Sequence, residues 1–196
     1  MRLALFLTLF RLIISPVFLL VYIYYAQLGI SLTVLPFILL SLLAVCELSD
    51  IFDGVVARKT NSVTDLGKIL DPIADSIVRV SFLLAFTQGI VKLPILLVLM
   101  FVYRDGLISA LRIVCALRGF ALAARVSGKF KAIIQAISIF TIVAMIIPYS
   151  HGWMSLSLLR DVSFYMVLFS ALYTVGSGVE YLVANRHYID KAWRKV

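Results

Sequence analysis

Six apolar runs, at residues 12 to 28, 32 to 57, 68 to 90, 93 to 117, 129 to 149 and 162 to 184, take up more than two thirds of this chain. A helix needs about 20 mostly apolar residues to cross the hydrocarbon of a bilayer, and each run comes close to that length or exceeds it. Lipid offers no hydrogen bond to backbone N–H and C=O groups, so an isolated chain crosses it only as helix or closed barrel, and no alternating strand pattern is present. The runs therefore predict an all-α integral membrane protein with six transmembrane helices. Composition agrees: 63% of the 196 residues are hydrophobic and 14% charged, against about half and a quarter in soluble domains. Six spans leave no room for a separate soluble unit, so residues 1 to 196 are read as one transmembrane domain.

A net charge of +8 raises the question of nucleic acid, but its placement answers otherwise. Arg2 and Arg11 precede the first run; Arg58 and Lys59 follow the second and Lys68 opens the third; Arg118 and Arg125 follow the fourth, and Lys129 and Lys131 open the fifth. Arg186, Lys191, Arg194 and Lys195 follow the last. The intervening connections hold only Lys92, and Arg160 beside Asp161. Basic loops stay cytoplasmic, so both termini and the two basic connections are expected on the cytoplasmic side of the cell membrane, as an even number of spans requires. The N-terminus begins like a secretory signal, yet Arg11 interrupts its apolar stretch and no small-residue cleavage site follows. It is read as a retained first span, with residues 2 to 11 as a candidate interfacial segment. Cys46 and Cys115 sit inside apolar runs without metal-ligand spacing, and His151 and His187 lie far apart near loops; none of the four suggests a site.

Carboxylates inside a membrane cost on the order of 2.5–3.5 kcal/mol each, so they need a partner or a task. Asp50 and Asp53 lie near the end of the second run, Asp71 and Asp75 near the start of the third. Positions three or four apart share one helical face, and the two runs are antiparallel, so all four acids can meet just inside the cytoplasmic boundary. Left alone they would repel. Two divalent cations would neutralise them, and oxygen-only ligands favour Mg²⁺ or Mn²⁺ in a clamp suited to displacement at phosphorus. The alternative is that the acids pair with Arg58, Lys68 or Arg79 to hold helices together. Gly54, Ala57 and Gly67 remove bulk beside the acids, which lets a phosphorylated ligand approach the backbone, although small residues also serve close helix packing.

Residues 50 to 75 run DIFDGVVARKTNSVTDLGKILDPIAD, which fits DxxDGxxAR, eight residues, then GxxxDxxxD at every fixed position. This resembles the signature of the CDP-alcohol phosphotransferase family. The resemblance implies that Asp50, Asp53, Asp71 and Asp75 ligate two divalent cations and that Asp75 is also the general base on an acceptor hydroxyl. It further implies that Gly54, Arg58 and Thr64 contact the CDP part of the donor; with Asp50, Ala57 and Gly67 they make up the expected CDP-lipid site. The implied reaction is attack of the acceptor oxygen on the lipid-side phosphorus of CDP-diacylglycerol, with CMP leaving, in what the family suggests is a homodimer.

Arg104 and Arg112 are eight residues apart, about two turns, and Lys129 enters from the next cytoplasmic end. Three such cations near an acidic site suggest a pocket for a phosphate on the acceptor; alternatively Arg104 pairs with Asp105 while Lys129 reaches lipid headgroups. LTLFRLIISPVF at 7 to 18, YRDGLISALR, GKFKAIIQ and YTVGSGVEYLVAN at 173 to 185 resemble the bacterial phosphatidylglycerophosphate synthase branch of the family, whose acceptor is glycerol 3-phosphate. The sequence departs from that branch at Asp105, Ser76 and Ala132. An RD pair also occurs in cardiolipin synthases of the family, which makes phosphatidylglycerol an alternative acceptor; inositol phosphate is another that the family resemblance leaves open. Two other classes fit less well. Intramembrane prenyltransferases are longer and lack the DGxxAR element, and a cation transporter would hold its acids near mid-membrane, often in an inverted repeat.

Overall fold

The computed structural model describes residues 2–59, 65–119, 122 and 125–194, with side chains outside 2–5, 51, 53–59, 65–71 and 190–194. Among these residues there are six helices and no strands: α1 (Arg2–Tyr24), α2 (Leu35–Lys59), α3 (Asp65–Ala85), α4 (Ile95–Leu117), α5 (Val126–Ser150) and α6 (Leu156–Arg194). Each expected run is a helix. Several ends differ from expectation: α1 is already helical at Arg2, so residues 2 to 11 continue its helix, and it stops at Tyr24 rather than 28; α3 stops at Ala85 rather than 90; and α6 spans 39 residues, Leu156–Arg194, rather than 162 to 184.

Local chemistry explains where the helices persist and stop. Pro16 lies inside α1 and cannot donate to the carbonyl of Leu12; the Ser15 hydroxyl donates to that oxygen instead, at 3.3 Å. α5 ends in a Schellman turn. Gly152, at φ +75°, donates to Tyr149 O at 3.1 Å and Trp153 to Pro148 O at 2.9 Å, which occupies carbonyls that the helix leaves open. Gly29 repeats the device after α1, with Ile30 donating to Tyr25 O at 2.9 Å.

Helix contacts follow a ring, with α1 against α2 and α3, α3 against α4, α4 against α6, α6 against α5 and α5 against α2. The apolar half of the interior is built on Phe18 and Tyr22 of α1 with Phe82 and Phe86, the Phe18 and Phe82 rings 4.6 Å apart. Leu39 and Leu43 of α2, Phe101 of α4, Ile142 and Ile146 of α5 and Val167 of α6 complete it. Leu96, Leu107 and Leu117 of α4 and Tyr165, Phe169 and Leu172 of α6 point outward and are exposed. A bundle apolar on both faces suits a lipid solvent. Among the described residues three helices are long and apolar enough to cross a membrane, over Phe6–Tyr24, Val126–Ser150 and Leu156–Ile189.

Candidate active site

Charged residues of all six helices converge at one end of the bundle. By spacing, Pro72, Asp75, Arg79 and Phe82 share one face of α3, with Val78 at its edge; Val78 and Phe82 are buried in the core, while Ile77 on the far side is exposed. The face that docks α3 is therefore apolar at Val78 and Phe82 and polar toward its N-terminal end, which turns Asp75 and Arg79 toward the neighbouring helices. Arg11 of α1 crosses to meet it. Its Nη1 donates to Asp50 Oδ1 at 2.5 Å and to Asp75 Oδ1 at 2.7 Å, and the arginine itself is 4% exposed. Two carboxylates on different helices thus share a single cation. Asp53, Gly54, Ala57 and Arg58 lie on α2 and Gly67 and Asp71 on α3, where side chains are outside the described residues; Thr64 is outside them altogether.

Beside this cluster lies a cavity of about 310 Å³, walled by Asp75, Ser76 and Arg79 of α3, Arg104, Asp105 and Arg112 of α4, Lys129, Lys131 and Gln135 of α5 and Tyr181 of α6, with Arg125 at the start of α5. Asp75 and Arg79 also line the small cleft that holds Arg11 and Asp50. Asp75 is therefore the junction between the acids and a cavity whose cations, Arg79, Arg104, Arg112, Arg125, Lys129 and Lys131, outnumber its carboxylates, Asp75 and Asp105. Such a cavity attracts anions.

The cations are not equivalent. Lys131 Nζ donates to both oxygens of Asp105 at 2.7 Å, Ser76 Oγ donates to Asp105 Oδ2 at 2.5 Å, and Arg104 Nη1 donates to Asp105 Oδ1 at 3.0 Å. Arg104 Nη2 also donates to Ser177 Oγ at 3.0 Å. The alternative considered for Arg104, pairing with its neighbour, is thus what the structure contains, though Arg104 still lines the cavity. Arg112 lies over the Tyr181 ring, 5.3 Å from its centroid, and its Nε donates to the Tyr181 hydroxyl at 3.2 Å. Arg125 Nε donates to Glu180 Oε1 at 2.7 Å, and Ser127 donates to the other Glu180 oxygen.

Arg104, Arg112 and Lys129 are accordingly brought together with Asp75. Sequence reasoning places Arg11 only as a basic flank, names Ser76 only as a departure from the family branch, and gives no role to Gln135, Ser177, Glu180 or Tyr181. The signal for Arg11 was available: the cost of a charge in an apolar run, applied to the acids, applies equally to an arginine nine residues into one. Gln135 lies four residues after Lys131, hence on its face. Nothing in the spacing of Ser177 or Tyr181 marks them before the helices are docked. Cys46 and Cys115 are free and buried.

The family model described as CDP-alcohol phosphatidyltransferase matches residues 1–183. Among similar curated proteins is the CDP-diacylglycerol–glycerol-3-phosphate 3-phosphatidyltransferase of Bacillus subtilis (strain 168), 31% identical over 144 residues, or 74% of this chain and 71% of that protein. The protein of that name from Rickettsia typhi is 29% identical over 185 residues, 93% and 96% of the two chains. The one from Shigella flexneri serotype 5b is 30% identical over 186 residues, 92% of each.

Proposed function

Since the chain belongs to the CDP-alcohol phosphatidyltransferase family, transferases of phospholipid biosynthesis that generally use divalent metal ions, we propose that it moves the phosphatidyl group of CDP-diacylglycerol to glycerol 3-phosphate, releasing CMP. The observation that carries this reading is the position of Asp75, which lines both the acidic cleft and the basic cavity. A carboxylate at that junction reaches donor and acceptor alike.

The oxygens of Asp50 and Asp75 that converge on Arg11 Nη1 are hard donors on two helices, and they suit a hard divalent cation. Asp50, Asp53, Asp71 and Asp75 would hold two such ions, Mg²⁺ or Mn²⁺, which when bound supply Lewis-acid stabilisation of phosphoryl charge. Arg104, Arg112 and Lys129, which all line the cavity, hold the phosphate of the acceptor, Arg104 being oriented by Asp105 and Ser177. Asp75 takes the proton of the acceptor hydroxyl as its oxygen bonds to the lipid-side phosphorus and the bond to CMP breaks. Gly54, Ala57, Arg58, Thr64 and Gly67, with Asp50, embrace the CDP part. The reading includes one domain of six membrane-crossing helices, arranged as a homodimer in the cell membrane, with both termini and the site facing the cytoplasm. An opening toward lipid lets the donor keep its chains in the bilayer.

The test is CMP release from CDP-diacylglycerol by detergent-solubilised protein, with glycerol 3-phosphate, phosphatidylglycerol or inositol phosphate as acceptor. Turnover is expected with glycerol 3-phosphate, abolished by EDTA and restored by Mg²⁺ or Mn²⁺, and reduced about 10²–10⁴-fold in Asp75→Asn, the range of a lost general base. Turnover with only one of the other acceptors would reassign the substrate. An Asp75→Asn enzyme of near-normal activity would remove Asp75 from the role of base.

A further inference from the structure

Gln135 is a polar group that the reading above leaves without a task. It projects from α5 one turn beyond Lys131, lines the basic cavity and is 1% exposed. Neither its Nε2 nor its Oε1 has a hydrogen-bond partner among the described residues. Its neighbours differ: Lys131 and Ser76 are bonded to Asp105, and Ser138, a turn further along α5, donates to Ile134 O at 2.8 Å. A buried amide with neither donor nor acceptor engaged is an unfavourable group to retain unless something entering the cavity engages it.

The chemistry of the amide narrows what that is. Nε2 donates and Oε1 accepts. A phosphate offers acceptors only, so it would meet Oε1 with repulsion, and the cavity already has Arg112 and Lys129 for it. A carboxylate fails in the same way. A hydroxyl both accepts and donates, and so complements the two ends of the amide together. Glycerol 3-phosphate offers a phosphate, a primary hydroxyl that reacts and a secondary hydroxyl that does not. With the phosphate on the cations and the reacting hydroxyl at Asp75, the secondary hydroxyl of the acceptor is left over, and Gln135 is the residue lining the cavity whose buried side chain has both polar atoms without a partner among the described residues.

We propose that Gln135 reads the secondary hydroxyl of the acceptor and so sets specificity for a triol phosphate over a phosphorylated simple alcohol. This rests on the acceptor assignment made above. A volume of about 310 Å³ suits a small polar substrate, and sites that hydrogen-bond a substrate hydroxyl reject analogues without it far more strongly than apolar pockets reject a missing methylene.

The experiment compares kcat/KM of the full-length protein in detergent for glycerol 3-phosphate and for 3-hydroxypropyl phosphate, which keeps the phosphate and primary hydroxyl and lacks the secondary one. Wild type is expected to favour glycerol 3-phosphate by about 10²-fold or more, toward the stronger discrimination of hydroxyl-reading sites. In Gln135→Met, of similar length and without the amide, the ratio is expected to fall toward one, chiefly through loss on glycerol 3-phosphate. A wild-type ratio near one overturns the proposal without reference to any variant. So does an equal loss on both substrates in Gln135→Met and Gln135→Leu, which marks the amide as structural. Wild type that releases no CMP with glycerol 3-phosphate but turns over another acceptor overturns the acceptor assignment itself, a result distinct from either of these.

Discussion

Gly178 shows how one missing carbon shapes the cavity wall. A Cβ built there would lie 2.9 Å from Arg104 Cγ and 3.4 Å from its Nε. The near atom is the middle of the arginine stem, whose far end is held by Asp105 and Ser177, so the stem cannot swing aside without breaking those bonds. Gly178→Ala gains up to about 1 kcal/mol of helix propensity, whereas overpacking of this kind costs about 1–3 kcal/mol, so local strain outweighs the gain. The expected result is a KM for glycerol 3-phosphate raised roughly 5- to 100-fold, with KM for the CDP-lipid little changed. Gly176→Ala, two residues away with nothing within 4 Å of its added carbon, should leave both constants near wild type. Steady-state kinetics with each substrate varied in turn decides; equal behaviour of the two variants would show that Arg104 is not held against α6 as described. Gly178 is invisible to sequence reasoning, because its significance depends on which α4 side chain faces it.

At the scale of helices, α1 is pinned to α2 and α3 by more than apolar contact, since Arg11 donates to Asp50 and Asp75 at once. The meeting of Asp50 and Asp75 was legible because charge in an apolar run requires an explanation and because the two runs are antiparallel. The same argument marks Arg11 as needing a partner, but not which one, because α1 is distant in sequence and only docking places residue 11 beside residues 50 and 75. Removing Arg11 leaves two carboxylates facing each other. Breaking a buried ion pair from one side costs about 3–5 kcal/mol, but side chains of Asp50 and Asp75 are 38% and 29% exposed, so solvent reduces this toward the lower end. Arg11→Met is therefore expected to melt on the order of 5 °C lower than wild type in EDTA. Mg²⁺ should shrink that gap, because a divalent cation between the acids supplies the charge that the arginine supplied. Thermal denaturation of both proteins, with and without Mg²⁺, measures it. A gap that Mg²⁺ leaves untouched would mean that the guanidinium and the metal act at different places.

For the molecule as a whole, the six helices were legible because a lipid solvent permits so few alternatives, while their ends were not, because apolarity marks only the part of a helix at hydrocarbon depth. α6 illustrates this: 39 residues rise roughly 58 Å at 1.5 Å per residue, more than the ~40–45 Å of a whole bilayer. It runs past the last apolar residues because neither Gly nor Pro interrupts residues 179 to 194. The polar end of the bundle, holding Arg11, Asp75, Lys131 and Glu180, is also where α2 and α4 finish and α3 and α5 begin, so the expectation of a cytoplasmic basic side carries the site with it and can be tested. Val126, at the start of α5 beside the basic cavity, and Trp153, in the turn at its other end, are 66% and 80% exposed. Native Cys46 and Cys115 are buried, which keeps background labelling low. In cells whose outer barrier has been removed, Trp153→Cys is expected to react with a membrane-impermeant maleimide, and Val126→Cys only after permeabilisation. Because both positions are exposed, the difference reports sidedness rather than burial. The reverse pattern would place the acids and the cavity on the outer face, away from cytoplasmic glycerol 3-phosphate, and would be incompatible with the proposed reaction.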